Sequence, residues 1–192
     1  MSDAQFVLAS ASPRRADLLR SVGFKLLIEP VDIDESINPG EEPRDYVRRM
    51  ARSKAAHICS DLAVLGADTI VLVDGEVLGK PLDRDQAISF LNTLSGREHE
   101  VVTAVAISLR GRIEIAVVTT KVHFRDLKSH EASRYWDTGE PLDKAGGYGL
   151  QGVGGVFVEK VIGSYSAVIG LPLVETERLL SSFDVDTWRN RT

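Results

Sequence analysis

This sequence predicts an α/β fold with a mixed, twisted sheet and flanking helices, and three observations carry that expectation. Apolar runs of strand length alternate with amphipathic stretches of helical period along most of the chain. The longest apolar run, residues 62–73 (LAVLGADTIVLV), does not alternate, as expected of a strand covered on both faces. The chain has 192 residues, 43% hydrophobic and 27% charged. A globular chain of that size buries about 70% of its unfolded surface and needs no disulfide or zinc staple. No internal repeat and no linker composition interrupts it, so residues 1–192 read as a single domain.

The elements follow in order. Residues 5–9 read as a short buried strand. Ser12-Pro13 marks a helix start, because serine suits the N-cap and proline's fixed φ suits the first helical position. Leu18, Leu19 and Val22 supply its apolar stripe, and Gly23 is a stop. Residues 24–31 return to a strand, and Asp32 to Glu42 form an acidic, turn-rich stretch. A second helix is expected from Pro43 to about Cys59, with Tyr46, Val47, Met50 and Ala51 toward the core. After the strand at 62–73, Asp74-Gly75 is a hairpin signal, with Glu76 to Leu78 returning. Asp83 is placed to cap a helix through Leu94, closed by Ser95-Gly96. Residues 100–109 and 113–124 read as a long hairpin around Arg110-Gly111-Arg112. Ser129 is expected to cap a short helix to about Asp137, and Gly139 to Gly155 to form a glycine-rich loop. A strand near 155–161, a last helix near 172–183 and a polar tail complete the chain.

The net charge of −5, from 23 Lys and Arg against 28 Asp and Glu, argues against a nucleic acid polymer as partner. Local clusters remain: Arg14 beside Arg15, and Arg48, Arg49, Arg52 and Lys54 in one short segment, suited to a small anion. No apolar run reaches the ~18 residues of a membrane helix. The N-terminal residues lack the basic and apolar regions of a signal peptide. The single cysteine, Cys59, excludes an internal disulfide. Together these features predict a cytoplasmic protein that engages no membrane.

Four segments carry candidate chemistry. Ser10-Ala11-Ser12-Pro13-Arg14-Arg15 sits at a strand end and a helix start, where unpaired N–H groups, hydroxyls and guanidiniums suit phosphate oxygens. It reads equally as a Ser-Pro cap with two solvated arginines. Asp68 in GADT is a carboxylate within an apolar run, expensive unless paired or metal-bound. At a strand end it reads as a base or ligand, or else as a structural cap. Lys54 lies on the second helix. Lys80 lies in a turn whose glycines are one residue too close for a P-loop, with proline where Ser or Thr is required.

The fourth segment, EPLDKAGGYGLQG at 140–152, holds a literal G-x-G-x-x-G at Gly147, Gly149 and Gly152, but no strand leads into it and no helix follows. Its glycines suit close approach to a ligand or unusual turn angles, a purely structural loop being the alternative. Gln151 offers the donor and acceptor that match a base edge. Asp34 and Glu35 lie in the acidic stretch and read as solvated charges, or as a partner for Asp68 in holding Mg²⁺. The four histidines have no ligand spacing for zinc. Cys59 reads as a helix-face packing residue.

Taken together, six stretches resemble the Maf family of nucleoside triphosphate pyrophosphatases: LASASPRR at 8–15, GADT at 66–69, GEVLGKP at 75–81, SGREHEVVTAV at 95–105, EPLDKAGGYGLQG at 140–152 and GSYSAVIGLPL at 163–173. They occur in the family's order and span most of the chain. The resemblance implies two lobes around a cleft, like the inosine triphosphate pyrophosphatases. It also implies hydrolysis of a nucleoside triphosphate to the monophosphate and pyrophosphate, with a divalent cation (Mg²⁺ or Mn²⁺).

Carried over by position, Asp68 matches the proton acceptor. Arg14, Thr69 and Gln151 match positions tied to substrate choice. Ser10, Arg15, Lys54 and Lys80 match polar residues at the phosphate end, where Lys54 and Lys80 take catalytic roles. Glu35 sits where the family has an acidic residue and would share the metal with Asp68. The Arg14, Thr69 and Gln151 combination resembles the branch acting on dTTP and UTP, with modified pyrimidine nucleotides as further candidates, a house-cleaning role in nucleotide metabolism. The sister branch prefers 7-methyl-GTP. A homodimer is what the family suggests. The rival reading is a non-catalytic, nucleotide-sensing regulator of cell division, and pyrophosphate release separates the two. A Rossmann oxidoreductase fails on the loop context.

Overall fold

The structure, a computed structural model, describes residues 3–189 and Arg191; the end of the expected polar tail, residues 190 and 192, lies outside them. Among the described residues seven strands and six α-helices follow in the order β1 (Phe6–Leu8), α1 (Pro13–Ser21), β2 (Leu26–Ile28), α2 (Pro43–His57), β3 (Ala63–Val73), β4 (Glu76–Leu78), α3 (Arg84–Leu94), β5 (Glu98–Leu109), β6 (Arg112–Phe124), α4 (Glu131–Trp136), β7 (Val158–Ile162), α5 (Tyr165–Ile169) and α6 (Leu173–Ser182). Three 3₁₀ turns (Glu140–Asp143, Ala145–Gly147 and Val153–Phe157) lie between α4 and β7. The sheet order is β2-β1-β3-β5-β6-β7, with β4 on β3, and both parallel and antiparallel pairs occur. The expected mixed α/β architecture is therefore the one observed. No helix among the described residues is long and apolar enough to cross a membrane.

Local chemistry accounts for several boundaries. Asp74 (φ 52°) with Gly75 (φ 84°), and Arg110 (φ 49°) with Gly111 (φ 82°), are two-residue left-handed turns that match the twist of the strands they join. The second turn is one residue shorter than expected, so Arg112 opens β6. Asp83 caps α3 as expected, its Oδ1 accepting the Gln86 N–H at 2.8 Å.

Other expectations are corrected. Ser129 does not cap α4. The helix begins at Glu131, whose carboxylate accepts the Lys128 N–H at 2.7 Å and is gripped by Arg125. β2 keeps only three residues, ending before Pro30, which has no N–H to offer the ladder. Cys59 lies past the end of α2 and is exposed, so it packs on no helix face. The helix α5 has no forerunner in the reading of the sequence. The glycine-rich segment is not a bare loop but carries the three 3₁₀ turns.

The contacts divide the chain into two compact units. The first comprises the chain through Asp68, Thr103–Val118 and everything from Gly170 onward. Here β1 runs parallel to both β2 (Phe6 beside Leu26) and β3 (Phe6 beside Ala63). Val7, Ala9 and Val64 form a small core, and Phe6 meets Phe24 edge-on at 5.3 Å. The second comprises Thr69–Val102 and Thr119–Ile169. Its larger core includes Val71, Leu91, Leu94, Val122 and an aromatic group in which Phe124 meets Tyr148 at 4.7 Å and Tyr135 meets Phe157 at 5.1 Å.

Candidate active site

Gly66 decides where the first unit places its charges. A Cβ at Gly66 would overlap the Ala51 carbonyl and the Ala55 amide and lie 3.0 Å from the Lys54 Cβ. Only glycine lets β3 come this close to α2. Side chains two apart on a strand share a face, so Asp68 points toward the same helix. There the Lys54 Nζ reaches Asp68 Oδ1 at 2.7 Å and Glu35 Oε1 at 2.6 Å. One ammonium thus sits between two carboxylates. Lys54 and Asp68 are 8% and 9% exposed, and the Glu35 side chain is 47% exposed. Asp68 is the sixth of eleven residues in β3, not at a strand end as expected; its burial reflects the middle of the strand.

The acidic stretch is exposed, as a solvated charge run would be, but α2 also holds it in place. The Tyr46 hydroxyl donates to the Glu35 carbonyl at 2.9 Å. Arg49 donates to the Ser36 carbonyl at 2.9 Å and forks onto both Glu41 oxygens at 2.6 Å. That fork holds the Glu41 carboxyl down at about 2. Burial, with Asp68 and Glu35 close by, pushes the Tyr46 phenol up to about 12.

Ser10 and Arg15 join the same unit. The Ser10 Oγ accepts the Arg15 Nη1–H at 3.1 Å and the Ser12 N–H at 3.2 Å, and Arg15 Nε donates to the Gly170 carbonyl at 2.9 Å. Ser12 makes no side-chain cap; the Ser10 hydroxyl takes the amide instead. Burial draws the Arg15 guanidinium down, the nearby Asp68 draws it up, Arg14 lowers it and Glu35 raises it. Ser10, Arg14, Arg15, Glu35, Lys54 and Asp68 are therefore all in the first unit. Thr69, Lys80 and Gln151 belong to the second. There Lys80 and Gln151 are exposed and Thr69 is half-buried.

In the second unit the glycine-rich segment is held by side chains that reading of the sequence missed. The Tyr135 hydroxyl donates to Glu140 Oε1 at 2.7 Å and accepts the Gly149 N–H at 3.0 Å. Glu140 also accepts the N–H groups of Val153 (2.8 Å) and Gly154 (3.1 Å). His99 Nε2 lies 2.7 Å from the Tyr148 hydroxyl, and the Gly146 N–H reaches the Gly79 carbonyl beside Lys80 at 3.0 Å. The only sequence signal for this network was the glycine spacing itself.

A family model of Maf-like proteins matches residues 5–183, nearly the whole described chain. The chain belongs to the Maf family. Its curated relatives agree: a protein of Anaeromyxobacter dehalogenans named dTTP/UTP pyrophosphatase is 54% identical over 180 residues, covering 92% of each chain. Proteins of the same name from Pseudoalteromonas translucida (51% identical, 92% of this chain and 95% of the relative) and Hahella chejuensis (47%, 96% and 94%) match as broadly. The charged cluster of the first unit and the glycine-rich segment of the second both lie within the span matched to the Maf family.

Proposed function

We infer that this chain is a nucleoside triphosphate pyrophosphatase that hydrolyses dTTP and UTP to the monophosphate and pyrophosphate. The observation that carries the reading is the buried Lys54 ammonium held between Asp68 and Glu35 beside a buried Arg15, in a chain of this family. A triphosphate repels an incoming hydroxide, and fixed cations offset that repulsion without reorganising during the reaction. Lys54, Arg14 and Arg15 supply that charge in the first unit, and Lys80 is assigned the same work in the second.

In the proposed reaction, water adds to phosphorus, one water O–H breaks with its proton passing to Asp68, and the bridging oxygen of the α–β anhydride leaves with pyrophosphate. Lys54 fixes the Asp68 carboxylate through Oδ1, so its orientation is set before substrate arrives. Ser10 and the Gly170 carbonyl hold Arg15 through two of its five N–H donors, so its charge is fixed before substrate arrives. Thr69, Arg14 and Gln151 are assigned to substrate choice, with Gln151 offering paired polar atoms to a pyrimidine edge. A site that pairs polar edges rejects a wrong base by leaving its own groups unpaired.

Glu35 and Asp68 also fit a divalent cation. They are oxygen donors already gathered around one positive charge. Among the described residues no set of three or more His, Cys, Asp or Glu converges to hold an ion. Two carboxylates suit Mg²⁺, which takes one or two of them and completes its shell with substrate phosphates and water. When bound, such an ion neutralises phosphate charge.

The test is direct. The purified protein is given dTTP, UTP, dCTP, ATP, GTP and modified pyrimidine triphosphates with Mg²⁺, and pyrophosphate is measured. Release from dTTP and UTP ahead of the purines is expected; binding without release would favour a sensing role and overturn the reading.

A further inference from the structure

Gln151 stands exposed at the tip of a segment whose two stems are tied to one pair of side chains. On the incoming stem, the Gly149 N–H donates to the Tyr135 hydroxyl. On the outgoing stem, the Val153 and Gly154 N–H groups donate to the two oxygens of Glu140. The Tyr135 O–H, donated to Glu140 at 2.7 Å, closes the bracket.

The glycines are shaped to this pair. A Cβ at Gly152, where φ is +112°, would lie 2.6 Å from a Glu140 carboxylate oxygen. One at Gly154 would lie 2.5 Å from the Tyr135 hydroxyl, and one at Gly149 would lie 2.8 Å from Lys144 Cε and 3.1 Å from Glu140 Oε1. The close approach expected of these glycines is thus to the protein's own tyrosine and carboxylate.

Tyr135 is 2% exposed and fixed edge-on against Phe157, so the pair is anchored in the core. Burial raises the phenol and Glu140 adds to this, keeping the hydroxyl a donor. Burial pushes Glu140 upward, but the Tyr135 hydroxyl, the two amides and Lys144 outweigh it and hold the carboxyl below its usual range. Donor and acceptor roles within the bracket are therefore fixed at neutral pH.

We propose that Tyr135 and Glu140 are positioning residues that set the Gln151 amide for recognition of the dTTP base without touching substrate. This rests on the pyrophosphatase reading and on the role assigned to Gln151.

The test is a double-mutant cycle in the full chain, with dTTP and Mg²⁺, comparing the parent, Tyr135→Phe, Gln151→Ala and the double variant. Tyr135→Phe is expected to raise KM for dTTP about tenfold, the scale of leaving a buried partner unsatisfied, with kcat changed less than about threefold. In the Gln151→Ala background the same change is expected to move KM less than about twofold, because nothing remains to position. The melting temperature should fall by the same amount in both backgrounds, which separates stability from recognition. An equal KM factor in both backgrounds, an unchanged KM, or a loss confined to kcat overturns the inference and leaves the pyrophosphatase reading standing. No pyrophosphate from dTTP or UTP with the parent protein overturns both. If Tyr135→Phe does not fold, Glu140→Gln takes its place in the same cycle, since its amide nitrogen would oppose an N–H donor.

Discussion

Replacing Lys54 with methionine keeps most of the side-chain stem and removes the ammonium that two carboxylates share. Asp68, 9% exposed, then loses a partner at 2.7 Å, whereas Glu35 can turn toward water at little cost because its side chain is half open. Removing one member of a buried ion pair costs about 3–5 kcal/mol. The nearby Arg15 guanidinium still offsets part of the Asp68 charge, so the lower end, about 3 kcal/mol, is expected. For a chain of this size that corresponds to a fall in melting temperature of about 6–12 °C.

Adding Asp68→Asn to Lys54→Met removes the stranded charge, and the double variant should recover more than half of the loss. Urea denaturation at pH 7 with matched thermal melts measures both. A single-variant cost below about 1 kcal/mol, or two losses that simply add, would refute the coupling on which the site is built.

Three further outcomes follow from the same geometry. Asp68→Asn should keep the fold and lose at least ~100-fold in turnover, the scale of a principal charged contributor, as read by pyrophosphate release. Gly66→Ala should cost about 3 kcal/mol or more, beyond simple overpacking, because its methyl meets α2 backbone and not a movable side chain; a melt checks it. His99, buried and beside His123, is held down to about 4. The unfolded chain therefore takes up a proton below about 6.5 that the folded chain refuses, and stability should fall by about 3 kcal/mol as pH drops from 6.5 to 4. Glu41 and Glu131, both held at about 2, begin to subtract only below about 4.5. His99→Gln should flatten the slope between pH 7 and 5, and a slope as steep as the parent's would count against the assignment.

Features set by neighbours in the chain were legible in the sequence. The Asp74-Gly75 turn, the Asp83 cap and the doubly covered strand β3 all depend on a few adjacent residues. What depended on distant contacts was not. The Ser10 hydroxyl serves Arg15 and the Ser12 amide, a choice that Ser12's own capping tendency conceals. Six of the nine candidate site residues do gather in one unit, but the approach of β3 to α2 at Gly66, which brings Lys54 to Asp68, has no local signature. The roles of Tyr135 and Glu140 escaped notice because they lie in amides 13 and 14 residues further along.

Glycine spacing is commonly searched as the imprint of a cofactor's phosphates. The stretch around Gln151 is moulded on an internal anion instead, the carboxylate of Glu140. A fingerprint scan would therefore assign this chain a dinucleotide it has no reason to hold. The feature that distinguishes the two cases is a glutamate upstream of the pattern, with a buried phenol to close the ring.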